Sequence, residues 1–116
     1  MAFSADVRHP DGVAVMELHG DIDGGADEGI HAAYEQAIAT GPTHVLLNFD
    51  DVSYINSTGI ALIVGVLAQA RGADRTILAC GLTDHYKEIF EITRIADFVA
   101  MFDTETEAVT AAGQGT

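Results

Sequence analysis

Four times along this chain a short apolar run gives way to a helical pattern, and no other property of the sequence restricts the fold as much. VAVMELHG (13–20) is apolar on both alternating sides, Val13 and Val15 against Ala14, Met16 and Leu18, as in a strand covered from above and below. Ile30, Ala33, Tyr34, Ala37 and Ile38 then recur at helical spacing, and TGP (40–42) stops that helix. HVLLNFDDVSYI (44–55) is the strongest strand signal, with a kink expected at Asp50–Asp51. Ile60, Ile63, Val64, Leu67 and Ala68 follow at i, i+3, i+4, i+7 and i+8, an amphipathic helix ending near Arg71–Gly72. TILACGL (76–82) reads as a strand. DHYKEIFEITR (84–94) reads as a helix capped by Thr83 or Asp84, with Ile89, Phe90, Ile92 and Ile95 on its buried side. IADFVAMF (95–102) is expected as a short strand and TETEAVTAA (104–112) as a last helix. SADVRHP (4–10) adds a weak edge strand, and DIDGGADEG (21–29) a turn.

Strands separated by helical stretches need crossover connections, which make their neighbours parallel. The expected class is therefore α/β: a mixed, mostly parallel sheet of about four or five strands with about four helices packed on it. The acidic helix 104–112 should cover one side. The chain has 116 residues, the length of one domain. That domain is expected over 1–112, with GQGT (113–116) as a flexible tail.

INSTGI (55–60) occupies the central strand-to-helix junction. The first N–H groups of a helix have no partner inside it, and Asn56 or Ser57 can cap them. Together with the helix dipole, the same groups form a seat for an anion. Gly59 would let another backbone approach the first turn. Local chemistry thus leaves two readings open: a plain cap, or a point of attachment.

Charge narrows the classes of partner. Five Lys and Arg stand against eighteen Asp and Glu, a formal net charge of −13. Nucleic acid and anionic membranes would be repelled, and a protein surface carrying Arg or Lys attracted. Cys80 is the one cysteine, so no internal disulfide can form, and it reads as a small buried hydrophobe. MAFSADVRHPDG (1–12) has no apolar stretch of signal-peptide length, and IALIVGVLA (60–68) is too short to cross a bilayer. A cytoplasmic location is expected.

Other motifs fail their tests. Counted from Asp21, a calcium loop would need an oxygen ligand, Gly and Glu where Gly25, Ala26 and Ala32 stand. His31, His44 and His85 lack metal-ligand spacing. Gly65, inside a helix, suggests close packing on a neighbour. There is no Gly-rich phosphate loop, nucleophile elbow or zinc motif, so neither catalysis, a metal nor a cofactor is expected. His85, with Tyr86 and Lys87, opens the helix after the fourth strand and could contribute to a partner surface near the junction.

From Val13 to Val109 the chain resembles the STAS domain, the fold of anti-sigma factor antagonists. The likeness is carried by IDGGADEG, by Ile55-Asn56-Ser57-Thr58-Gly59 and by GLTDHYKEIFEITRIADF. In that family the junction serine, normally in Asp-Ser-Ser/Thr-Gly, is phosphorylated by the anti-sigma factor, an ATP-dependent serine kinase. The resemblance implies Ser57 as the phosphorylated residue, Thr58 as a possible secondary site and Gly59 as the family glycine. Asp21 and Asp23 fall on the family's Gly-x-Leu-Asp turn, which would lie near Ser57 and face the partner. Asn56 and Asn48 stand where the family often has Asp, which removes two carboxylates. By this resemblance the unmodified protein binds an anti-sigma factor and releases a sigma factor. Ser57 phosphorylation would switch it off and a serine phosphatase would reset it. The free protein should be a monomer. The alternative is a sensory or scaffold module of the same fold that binds a small ligand or signalling partners, with Ser57 only a cap.

Overall fold

A computed structural model of the chain describes residues 1–114. Strand β1 (Ser4–Arg8) leads through a 3-10 turn (Pro10–Gly12) into β2 (Ala14–Ile22), and a second turn (Gly24–Ala26) opens helix α1 (Asp27–Ile38). Then come β3 (His44–Ile55), α2 (Ser57–Gly72), β4 (Thr76–Cys80) and α3 (Asp84–Ile92). A third turn (Ile95–Asp97), β5 (Ala100–Phe102) and α4 (Glu105–Gln114) complete the order. The strands form one sheet in the order β1-β2-β3-β4-β5. β1 runs antiparallel to β2, and the other neighbours are parallel. The mixed, mostly parallel sheet expected from the alternation is the one observed.

The two-sided apolar pattern of β2 has its cause in the layering. Ala14, Met16 and Leu18 join Val45, Leu47 and Phe49 in a large core under α1, α2 and α3. Val13, Val15, Leu46, Leu78 and Cys80 face the other way, under Ala108 and Ala112 of α4. Phe90 of α3 meets Phe49 edge-on at 6.1 Å and anchors that helix to the central strand. The β2–β3 register slips twice, so that β3 carries an extra residue between Asn48 and Asp51 and another between Val52 and Tyr54. Such bulges bend a strand and re-aim its end. The kink expected at Asp50–Asp51 is the first of them.

Several expectations shift. β2 continues to Ile22, so Asp21 belongs to a strand and not to the following turn. The stretch 95–102 is a 3-10 turn before a three-residue strand, because Arg94 takes a left-handed φ of 68° and turns the chain sharply. In α2 the buried residues are Gly59, Ile63, Val66, Leu67 and Ala70, whereas Val64 and Ala68 point outward. Gly65 is exposed, and a side chain there would meet nothing within 4 Å, so close packing does not explain it. Ile92 is 71% exposed, not buried. Helix α4 takes in Gly113 and Gln114 from the expected tail, while 115–116 lie outside the described residues. No helix among the described residues is long and apolar enough to cross a membrane.

Candidate functional site

Where β2 and β3 end, Asp21 lies beside Tyr54 and Ile22 beside Ile55. The Asn56 N–H donates to the Ile22 carbonyl at 3.2 Å, so the β2 backbone reaches over the junction. Asn56 is extended (φ −96°, ψ −177°), the conformation of a helix N-cap, and its Oδ1 accepts from the Gly59 N–H at 2.8 Å. Gly59 is tightly constrained. A Cβ at that position would sit 1.8 Å from the Ile22 carbonyl oxygen, so no side chain fits without moving β2 or α2. The Tyr86 hydroxyl accepts from the Ile55 N–H at 2.9 Å and ties the start of α3 to the same corner.

Of the two candidate caps in INSTGI, Asn56 is the one that caps. Ser57 and Thr58 are exposed on the first turn, and the Ser57 hydroxyl has no hydrogen-bond partner among the described residues. Asp and Glu favour the first turn of a helix because the dipole is positive there. Asp27 and Glu28 occupy that turn in α1, Asp84 in α3, and Glu105 and Glu107 in α4. In α2 no acid occupies it. The positive end of that dipole is uncompensated, and Ser57 stands on it.

Around this corner the residues singled out by sequence fall as follows. Asp23 accepts from the Gly25 N–H at 2.9 Å, which fixes the Gly24–Ala26 turn. That turn abuts the Thr58 methyl: a Cβ at Gly24 would be 3.7 Å from it. Asp23, Asn56, Ser57, Thr58 and Gly59 therefore share one corner. Asp21 is half-buried at the end of β2, with its carboxylate 2.8 Å from the Met1 amino nitrogen. His85 is exposed on the first turn of α3, its ring tilted against that of Tyr86 at 5.0 Å. Asn48 points to α4, not to the corner. Its amide donates to Glu105 at 3.0 Å, and Arg8 donates to the same carboxylate at 2.6 Å. Arg8 in turn holds the Glu105 pKa below the usual carboxylate range. Aspartate at position 48 would set a second negative charge against Glu105.

Two residues have roles that the sequence did not specify. Tyr86 pins the junction, yet in sequence it was one member of an exposed-looking helix start. His19, in β2, is bracketed by Asp51 at 2.7 Å and Asp6 at 3.1 Å, which links three neighbouring strands. Asp6, Glu17 and His19 could in geometry hold a metal ion, but Arg8 already pairs with Glu17, and the imidazole is already hydrogen-bonded to Asp6 and Asp51. Cys80 is fully buried, which together with Asp50 and Glu105 pushes its thiol pKa up to about 12, so it stays protonated and unreactive.

Known proteins share this fold. A family model described as STAS domain matches residues 4–108. The anti-sigma-B factor antagonist of Staphylococcus aureus is 34% identical over 68 residues, which are 58% of this chain and 63% of that protein. The match thus spans less than two thirds of that relative's length. The anti-sigma factor antagonist SpoIIAA in its unphosphorylated form superimposes with a TM-score of 0.72 at 22% identity, over 99% of this chain and 100% of that one. The Bacillus cell fate determinant SpoIIAA in the phosphorylated form does so with a TM-score of 0.70 at 23% identity, over 95% and 98%. At such identities the likeness is one of fold. The names of these relatives are those of regulators, not of enzymes.

Proposed function

Because the chain belongs to the STAS domain family, we propose that it is an anti-sigma factor antagonist whose grip on its anti-sigma factor is broken by phosphate on Ser57. The proposal rests on one division of labour: Asn56 does the capping, which leaves the Ser57 hydroxyl exposed and unpaired on a helix start that lacks an acid. The name of the Staphylococcus aureus relative supports the role, and the phosphorylated SpoIIAA supports a switch of this type on this fold.

In the unmodified state the corner formed by Asp23, Asn56, Ser57, Thr58 and Gly59, flanked by Asp21 and His85, docks on the anti-sigma factor and so frees a sigma factor. The surplus of negative charge steers encounter with a basic partner surface. The partner is itself a kinase using ATP. Ser57 Oγ attacks the γ-phosphorus, the O–P bond forms as the bond to ADP breaks, and the hydroxyl proton passes to a base of the kinase. A phosphatase reverses this by adding water across the ester. All of this takes place in the cytoplasm.

Phosphate adds about −1.5 to −2 charge at neutral pH. On a helix N-terminus that charge is favoured by roughly 0.3–1 kcal/mol, so α2 stays folded. The switch acts at the interface. Taking a complex from mostly bound to mostly free requires about 5.5 kcal/mol, which like-charge contact and a filled hydroxyl pocket together supply. The decisive experiment uses the anti-sigma factor kinase from the same genome. With ATP, phosphate should map to Ser57 by peptide mass spectrometry, Ser57→Ala should bind and resist modification, and Ser57→Asp should not bind. A Ser57→Asp protein that binds like wild type, or phosphate found away from residues 57 and 58, would overturn the proposal.

A further inference from the structure

Far along α2 from Ser57, a groove of about 560 Å³ opens between the last two turns of the helix and the segment joining α3 to β5. Its floor is apolar: Leu67, Ile77 and Ile95. Its walls are Val64, 44% exposed, and Phe98, 54% exposed, two of the few large apolar side chains left in solvent. Three of the five Lys and Arg in this acidic chain line it, namely Arg71, Arg75 and Arg94.

How those cations are employed is informative. Arg8, Lys87 and Arg94 each hold a carboxylate. Arg71 and Arg75 have no carboxylate partner among the described residues, although eighteen Asp and Glu were available to supply one. Neither is loose. The Arg71 guanidinium lies 4.9 Å above the Phe98 ring, which uses its face and leaves its N–H edge free. Arg75 Nε donates to the Pro42 carbonyl at 3.1 Å, and its guanidinium also lies beside the Tyr34 hydroxyl, with no carboxylate on it. A guanidinium fork of this kind is shaped to take a carboxylate with paired hydrogen bonds.

We propose that this groove binds a small apolar monocarboxylate, its hydrocarbon part on Leu67, Ile77 and Ile95 and its carboxylate on Arg71 and Arg75. The volume suits a small molecule, since such sites run to roughly 300–1,000 Å³. The net charge of −13 disfavours an acidic peptide or a polyphosphate, whose several charges would meet the field of the whole chain. One negative charge on an apolar body matches two guanidinium groups that hold no carboxylate, over an apolar floor. Nothing in this inference depends on Ser57.

Octanoate is a suitable probe and 1-octanol its uncharged counterpart, both followed by amide shifts in two-dimensional NMR of the whole chain. Octanoate should give saturable shifts confined to residues 64–77 and 93–98, and bind at least about tenfold more tightly than octanol. Arg71→Gln should reduce octanoate to the level of octanol and leave octanol unchanged. Arg75→Gln should act alike, but Arg75 also holds the Pro42 carbonyl and its loss can loosen the fold. Val64→Glu alters only an exposed wall and brings a competing carboxylate, so it should abolish octanoate binding while the rest of the spectrum stays native. Equal binding of octanoate and octanol, undiminished octanoate binding by Arg71→Gln and Val64→Glu, shifts centred elsewhere, or no saturable shift at millimolar octanoate would each overturn the proposal. Ser57→Ala should titrate as wild type does.

Discussion

At its N-terminus helix α2 is gripped by backbone. The Ile22 carbonyl crosses its first turn, Asn56 closes the cap, and Gly59 leaves no space for even a methyl group. Sixteen residues span the helix; midway along it Val64 is in solvent and a side chain at Gly65 would meet nothing, and at the far end Arg71 is stacked on Phe98. The first end is tightly held and presents the unpaired hydroxyls of Ser57 and Thr58. The second is open, and Arg71 with nearby Arg75 presents two guanidinium groups that hold no carboxylate. A rigid end suits a contact that must be made or refused according to one covalent change. An open end suits a ligand that fills space.

If the ends are as distinct as this, binding should separate them most. Ser57→Asp should weaken the anti-sigma factor complex by about a hundredfold or more, while Arg71→Gln leaves it unchanged, as isothermal titration calorimetry would show. A loss of partner binding in Arg71→Gln would break the division. Next comes one substitution made twice in one helix. Gly59→Ala should destabilise by about 3 kcal/mol, because it drives a methyl into the Ile22 carbonyl. In thermal unfolding that is a fall of roughly 10 °C. Gly65→Ala, with free space around it, should instead stabilise by about 0.5–1 kcal/mol through helix propensity. The same sign for both would sink the contrast. Smaller still are the supports of the rigid end: Asn56→Ala loses the cap, about 1 kcal/mol, and Tyr86→Phe the bond to the Ile55 N–H, also about 1 kcal/mol by urea denaturation.

The smallest effect belongs to neither end and serves as a control. Its hydrogen bond to Asp51, opposed by partial burial and aided by Asp6, raises the His19 pKa above its ordinary 6.5. A pKa raised by folding means that the contribution is complete below the unfolded value and fades as pH climbs through the folded one. Wild type should therefore lose a little stability, which His19→Gln does not lose, as pH rises from about 6.5 through the raised folded-state value. Equal pH profiles for the two would show that the Asp6–His19–Asp51 bridge carries no weight.

Much of this was legible in the residues. The alternation of apolar runs and helical stretches led to a mostly parallel sheet. The two-sided apolarity of VAVMELHG foretold cover on both faces, and of the two expected caps of α3, Thr83 and Asp84, Thr83 is the one that accepts from the Tyr86 N–H. What escaped has physical reasons. Helix α2 reads STGIALIVGVLAQARG, apolar on nearly every side, so its pattern could not tell Val66 and Ala70, which are buried, from Val64 and Ala68, which are not. Ile95 and Val99 are both buried, and in a stretch so short their spacing fits a turn as well as a strand. Whether Asn56 or Ser57 caps α2 depends on which side chain reaches the Gly59 N–H, a matter of angles that only the folded corner decides. Tyr86 acts through a backbone amide thirty-one positions away, a contact that no local pattern encodes.

The two outer strands carry one more consequence. β5 has only three residues, and β1 has five, with Asp6 and Arg8 among them. Edges so short or so charged give a foreign strand little to zip against. Edge-to-edge pairing between crowded copies of this chain is thereby disfavoured, and recognition through its helices and loops favoured.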